Sequence, residues 1–294
     1  MKSVEKIEIM LKLIECPRDA MQGMSLFIET ADKVRYINKL LQVGFDTIDF
    51  GSFVSAKAIP QMRDTAEVLA QLDLHKTKTK LLAIVANERG AEQAAQFPEI
   101  KYIGFPFSVS ETFQLRNTNS TITESLERVK KIQELCTTTN KELVLYLSMG
   151  FGNPYGDPWN SDIVLGWVSK LRTLGIHILA LSDTIGVSTP QSIEYLFSNV
   201  IKEYTDLEFG AHLHSTPHAW REKIHAAYQS GCRRFDSALK GLGGCPMAKD
   251  DLTGNIATEN LLSYFNERDI NLPFNYTHLI SALGIANEIF PQHN

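Results

Sequence analysis

Cysteine is scarce in this chain of 294 residues: only four occur, Cys16, Cys136, Cys232 and Cys245. They lie far apart and form no C-x-x-C pair, which disfavours both a disulfide scaffold and a cysteine-rich zinc site. An excess of positive charge is missing too. Twenty-nine Lys and Arg stand against 34 Asp and Glu, giving −5 with no long run of either sign, so a broad basic face for nucleic acid is not expected. No apolar stretch is long enough to span a bilayer, and Met1-Lys2-Ser3-Val4-Glu5-Lys6 has no apolar signal region. Nor is there a low-complexity linker or a sharp change of composition. These absences leave a cytoplasmic, soluble chain of one domain over 1–294 as the expectation, without membrane or nucleic-acid partners.

What is present is an alternation of short apolar runs with amphipathic segments. The runs are Ile7–Glu15, Thr47–Gly51, Lys80–Asn87, Lys101–Phe107, Leu143–Met149, Ile176–Asp183, Leu207–His214 and Arg233–Leu239. Val34, Ile37, Leu40 and Leu41 fall on one helical face after the first run; Ile163, Val164, Trp167, Val168, Leu171 and Leu174 do so later. Ser161-Asp162 and Gly175 bracket that later segment as start and stop signals. Similar segments fall at about 61–72, 120–138, 190–204, 217–230, 253–267 and 277–289, with a shorter one near 89–96. Strand candidates each followed by a helix candidate predict an α/β protein with a parallel sheet. A (β/α)8 barrel and an open doubly wound sheet both satisfy this. The count of eight favours the barrel, and no Gly-x-Gly-x-x-Gly follows the first run to favour a dinucleotide fold.

Barrel enzymes take their chemistry from the C-terminal ends of the strands. Read in order, those ends carry Arg18-Asp19, Asp49, Asn87, Ser148, Asp183, His212 and His214, and then the loop Gly241–Asn255. The sharpest element is Ala211-His212-Leu213-His214, because residues two apart on a strand point the same way. Both imidazoles then enter the barrel mouth and bind one metal, with Asp19 as the natural anionic ligand. Two nitrogens and hard oxygen donors without thiolate favour Mg2+ or Mn2+ over structural zinc. Gly241-Leu242-Gly243-Gly244-Cys245-Pro246 reads as a loop that moves or approaches a ligand closely, and it carries a thiol.

These residues also carry a resemblance. The chain resembles the 3-hydroxy-3-methylglutaryl-CoA (HMG-CoA) lyase family of metal-dependent TIM-barrel lyases. The resemblance lies in Glu15–Gln22, Ser52–Ser55 with Pro60-Gln61-Met62, Ser182–Gly186, and His212-x-His214 continuing into Gly241–Glu259. It implies a TIM barrel with C-terminal helices over about 253–294, and the ligands Asp19, His212, His214 and Asn255 for Mg2+ or Mn2+. It further implies Arg18 beside a thioester enolate, Cys245 in proton transfer, and Asp183 and Asp49 as further catalytic carboxylates. Gln22, Asn87 and Ser148 are expected to bind substrate, an acyl-CoA, in a homo-oligomer, a dimer. Asp183 and His212 both stand as candidates for the base. Ala20 replaces the family's Gly, Asp49 its Glu and Ser215 its Asp; Gly23-Met24-Ser25 replaces a polar stretch, and the segment from Cys245 to Asn255 is longer. Three functions follow: an HMG-CoA lyase, a related lyase or condensing enzyme for another 3-hydroxyacyl-CoA or 2-oxo acid, or an inactive barrel used for binding. The intact ligand set argues against the last.

Overall fold

Eight strands follow one another around a closed ring: β1 (Lys12–Glu15), β2 (Thr47–Ser52), β3 (Lys80–Ile84), β4 (Ile100–Ser108), β5 (Glu142–Ser148), β6 (Ile178–Asp183), β7 (Glu208–Ser215) and β8 (Arg234–Ser237). The computed structural model describes residues 11–244 and 253–290. Each strand pairs in parallel with its neighbours in sequence, and β8 closes on β1, so the sheet is a TIM barrel. The helices are α1 (Pro17–Gln22), α2 (Thr30–Leu41), α3 (Thr65–Leu69), α4 (Glu88–Ala95), α5 (Glu111–Thr118), α6 (Ile122–Thr138), α7 (Ser161–Arg172), α8 (Pro190–Glu203), α9 (Trp220–Gln229), α10 (Thr258–Asn266) and α11 (Tyr276–Ile289). None of the described helices is long and apolar enough to cross a membrane.

Strand alternation divides the apolar side chains into two sets. Leu82, Ile84, Tyr102, Val144, Tyr146, Ile178 and Ala180 cluster together inside the barrel. Their alternates, such as Leu81, Ile103, Leu145 and Leu179, face outward into the larger core shared with the helices. There α2 buries Ile37, Leu40 and Leu41, and α7 buries Val164, Val168 and Leu171; each such side chain contributes ~1.5–3 kcal/mol. The C-terminal segment packs on the first helices, with the ring of Phe290 5.7 Å from Tyr36 and that of Phe274 4.8 Å from Phe45. The interior also holds Arg234, whose stem lies over Gly210 of β7; a Cβ there would sit 3.0 Å from Arg234 Cδ.

Three elements differ from the sequence reading. α1 and α5 are short helices where no helix segment is expected; in addition α7 takes its cap from Asn160, ahead of the expected Ser161-Asp162, its Oδ1 accepting from Ile163 N at 2.9 Å. The third is β9 (Gly254–Asn255), which adds to β7 antiparallel and sets Asn255 opposite His214. These two residues fall inside the segment expected as helix over about 253–267; the helix, α10, begins only at Thr258, and a two-residue strand carries no readable periodicity.

Glu15 ties the start of this ring to its end. Its Oε1 accepts from Leu239 N at 2.8 Å, and its Oε2 contacts Thr258 Oγ1, itself 2.8 Å from Ser237 Oγ. Burial pushes the carboxyl up from its ordinary 4.5 to about 8, against the hydrogen bonds from Thr258 and Leu239. Its stabilising contribution is therefore fully present below about pH 4.5, the unfolded value, and is lost as pH rises through about 8. Denaturant titrations across this range should show stability falling by up to about 1.4 kcal/mol per pH unit. Glu15→Gln should flatten that slope; an unchanged slope would place the titration elsewhere.

Candidate metal centre

β7 carries His212 and His214 to the barrel mouth on one side of the strand, and each ring is held from behind. His212 Nδ1 lies 3.1 Å from Asp236 Oδ2, and His214 Nδ1 lies 3.0 Å from the carbonyl oxygen of Thr184. A carbonyl oxygen can only accept, so His214 donates from Nδ1 and presents Nε2 as a lone pair. Asp236, as a carboxylate, likewise accepts from His212 Nδ1. His214 Nε2 is buried and has no hydrogen-bond partner.

Asp19 arrives from the first turn of α1, directly after β1. One ligand atom from each of Asp19, His212 and His214 can be chosen so that all lie within 4.8 Å of one another. An oxygen and two imidazole nitrogens converging around an orphaned buried nitrogen fit a divalent cation. Asn255, delivered by β9, donates from Nδ2 to Asp19 Oδ2 at 2.5 Å and to Leu242 O at 2.9 Å.

Arg18 neutralises the acidic side of this cluster. Its Nη1 donates to Asp19 Oδ1 at 3.0 Å and Gln22 Oε1 at 2.9 Å, and its Nε donates to Asp49 Oδ2 at 3.0 Å. Asp19 is held below the ordinary carboxylate range: burial opposes its charge, but Arg18 and then the two imidazoles outweigh it. Asp49, behind the guanidinium, is pushed up to about 6 by burial in spite of Arg18. Burial also depresses both imidazoles. For His212 the hydrogen bond and charge of Asp236 reverse the balance and raise it, whereas His214, with His212 adding repulsion, falls to about 4. His214 is thus neutral at physiological pH, as a ligand must be.

The cluster opens into a cavity of about 170 Å3. Arg18, Asp19, Gln22, Ser148, Ser182, Thr184, His212 and His214 form its polar side; Val54, Ile59, Ile84, Ala86, Pro106 and Phe113 form its apolar side. A larger hollow of about 670 Å3 between α8 and α9 shares no lining residue with it and has ion-paired surface side chains such as Arg221.

Most sequence candidates meet here, and two do not. Asp183 is turned away: Ser182 and Thr184 line the cavity, so alternation points Asp183 outward, where Lys223 Nζ donates to its Oδ2 at 2.7 Å. Asn87 is exposed and caps α4, its Oδ1 accepting from Gly90 N at 2.9 Å, which replaces a place at the substrate with a helix-end role. Cys245 lies outside the described residues. Sequence reasoning missed Asp236, Thr184, Tyr146 and Lys223. Asp236 was within reach, being at the end of the eighth run and spaced for the interior; the others act through a carbonyl (Thr184), a ring packed edge-on 5.4 Å from that of His212 (Tyr146) and an outer helix (Lys223).

A model of the HMGL-like family matches residues 12–285. The chain belongs to this family. Among its relatives, a 3-hydroxy-3-isohexenylglutaryl-CoA/hydroxy-methylglutaryl-CoA lyase of Pseudomonas aeruginosa is 35% identical over 275 residues, covering 92% of this chain and 90% of the relative. A hydroxymethylglutaryl-CoA lyase of Bacillus subtilis is 33% identical over 266 residues, covering 90% and 88%. An HMG-CoA lyase of Acinetobacter baumannii, solved in complex with coenzyme A and 3-methylmalate, superposes with a TM-score of 0.88 at 31% identity, covering 95% of this chain and 91% of that one.

Within this HMGL-like chain Gly243 is where the glycine loop touches the centre. Its φ is +84°, and a Cβ would lie 2.6 Å from Asp19 O and 2.9 Å from Asn255 Nδ2. Gly243→Ala should cost about 1–3 kcal/mol of stability and weaken Mn2+ binding at least about tenfold through Asp19. Asn87→Ala should cost about 1 kcal/mol and leave Mn2+ binding unchanged. Calorimetric titration with Mn2+ and denaturant curves on both variants check this.

Proposed function

We propose that this protein is a divalent-metal-dependent carbon–carbon lyase that cleaves (S)-3-hydroxy-3-methylglutaryl-CoA to acetyl-CoA and acetoacetate. The observation that carries this reading is the convergence of Asp19, His212 and His214, with Arg18 against Asp19, at one cavity. The names of the relatives support the substrate. Asp19, His212, His214 and Asn255 would hold Mg2+ or Mn2+, the choice favoured by hard oxygen donors beside imidazole and by the lack of thiolate among them. When bound, the ion would lower the pKa of the C3 hydroxyl and orient it.

The reaction removes the C3 hydroxyl proton and breaks the C2–C3 bond. C3 becomes the ketone of acetoacetate, and the electron pair passes to C2 and the thioester oxygen. Arg18 faces that oxygen as a permanent cation, held rigid by Asp49 and Gln22. The hydroxyl proton needs an acceptor on the cavity wall. Asp183, engaged by Lys223, does not reach it, and His212, with Nδ1–H given to Asp236 and its other nitrogen a would-be ligand, has no free lone pair; the carboxylate of Asp19 lines the wall. The C2 carbanion must then gain a proton, the role we assign to Cys245, which follows Gly244 of the cavity wall. The apolar wall of Val54, Ile59, Ile84, Ala86, Pro106 and Phe113 favours a second reading, a homologous acyl-CoA with a bulkier C3 substituent.

Purified protein incubated with HMG-CoA and Mg2+ or Mn2+ should release acetoacetate and acetyl-CoA in equal amounts. Bound Mn2+ without product from HMG-CoA would overturn the substrate and turn the search to bulkier 3-hydroxyacyl-CoA esters. Arg18→Gln should lower kcat by about 10²–10³-fold with a modest change in KM, because its charge is needed mainly in the transition state. A raised KM with kcat preserved would assign Arg18 to ground-state binding instead.

A further inference from the structure

We propose that Lys223, on α9 outside the barrel wall, is a positioning residue for the metal centre; this rests on the reading of Asp19, His212 and His214 as that centre. The Lys223 side chain is only 4% exposed. Its ammonium spends three donors on three acceptors: Asp183 Oδ2 at 2.7 Å, Gly186 O at 3.0 Å and His214 O at 2.8 Å. A lysine that only neutralised Asp183 would need the first of these alone.

The three acceptors belong to two stretches that both act on His214. One is the end of β7, held at the carbonyl of His214 itself. The other is the turn after β6, held at Asp183 and Gly186 on either side of Thr184. Within that turn, the Thr184 carbonyl takes the Nδ1 proton of His214 at 3.0 Å. Lys223 therefore grips His214 twice, through its main chain directly and through its ring by way of the turn. Thr184 Oγ1 also accepts from Met149 N at 2.8 Å, which fixes the turn against the end of β5. The direction of His214 Nε2, the atom without a protein partner, follows from these contacts. His214 is moreover the residue opposite Asn255 in the β7–β9 pair, so a shift of its main chain would reach a second residue of the centre.

The alternative is a buried ion pair that supports the fold and nothing more. Two variants separate the readings. Lys223→Met keeps the aliphatic stem and removes all three donors; adding Asp183→Asn removes the carboxylate left unpaired. Mn2+ affinity is measured without substrate by electron paramagnetic resonance, beside thermal unfolding and steady-state kinetics, with wild type and His212→Ala as references. Lys223→Met should bind Mn2+ about 10–100-fold more weakly, with kcat lowered and KM little changed. The double variant should regain thermal stability yet keep the weak Mn2+ binding, since the His214 and Gly186 carbonyls still lack their donor. Unaltered Mn2+ affinity in Lys223→Met, or recovery of affinity in the double variant, would overturn the proposal. Should Lys223→Met fail to fold, the double variant decides alone. A wild-type protein that binds no Mn2+, or that binds it as well after His212→Ala, would overturn the metal centre itself, and this inference with it.

Discussion

Two hydrogen bonds from ring nitrogens, His212 Nδ1 to Asp236 and His214 Nδ1 to the Thr184 carbonyl, govern the chemistry of the cavity. Each turns the other nitrogen of its ring toward the cavity, and neither acceptor lies on β7. Asp236 belongs to β8 and Thr184 to the turn after β6, so the strands flanking β7 determine what β7 presents. Closure of the barrel is thus a condition for the tautomers as well as for the core. The same dependence explains why α9 reaches inward with a buried lysine, and why a strand of two residues suffices to deliver Asn255.

Charge is balanced locally around this frame. Arg18 sits between Asp19 and Asp49, two carboxylates shifted in opposite directions: burial of the first is outweighed by the guanidinium, while burial brings the second up to about 6. Breaking such a buried arrangement at one member leaves an uncompensated charge, which costs far more than a surface pair. Arg18 therefore has both a structural and a chemical use, and its rigidity is the means by which its charge faces one direction only.

Much of this was legible in the sequence, for physical reasons that differ from residue to residue. Strands buried between barrel and helices leave continuous apolar runs, so each of the eight falls within or beside its expected run. The first run starts at Ile7, whereas β1 is Lys12–Glu15, and the third extends to Asn87, whereas β3 ends at Ile84. The spacing of His212 and His214 was readable because alternation is a local property. That rule also decides Asp183: once Ser182 and Thr184 face the cavity, the residue between them cannot, and the carboxylate belongs to the outer layer. Asn87 misled because a helix N-cap and a strand-end ligand both favour a short polar side chain just after a strand. Lys223 and the Thr184 carbonyl were not readable at all, since a contact from an outer helix and a main-chain oxygen leave no signature in residue type. The shortness of α1 and β9 hid them in the same way.

The bond between Asn255 and Asp19 joins residues 236 positions apart. Between them runs nearly the whole ring, and Asn255 is held by pairing with β7 and by its bond to the Leu242 carbonyl. A growing chain could not make this contact until everything through β9 had left the ribosome. The mouth of the barrel is thus completed only once β9 has been made, and a chain shortened before β9 would lack the link between β9 and α1.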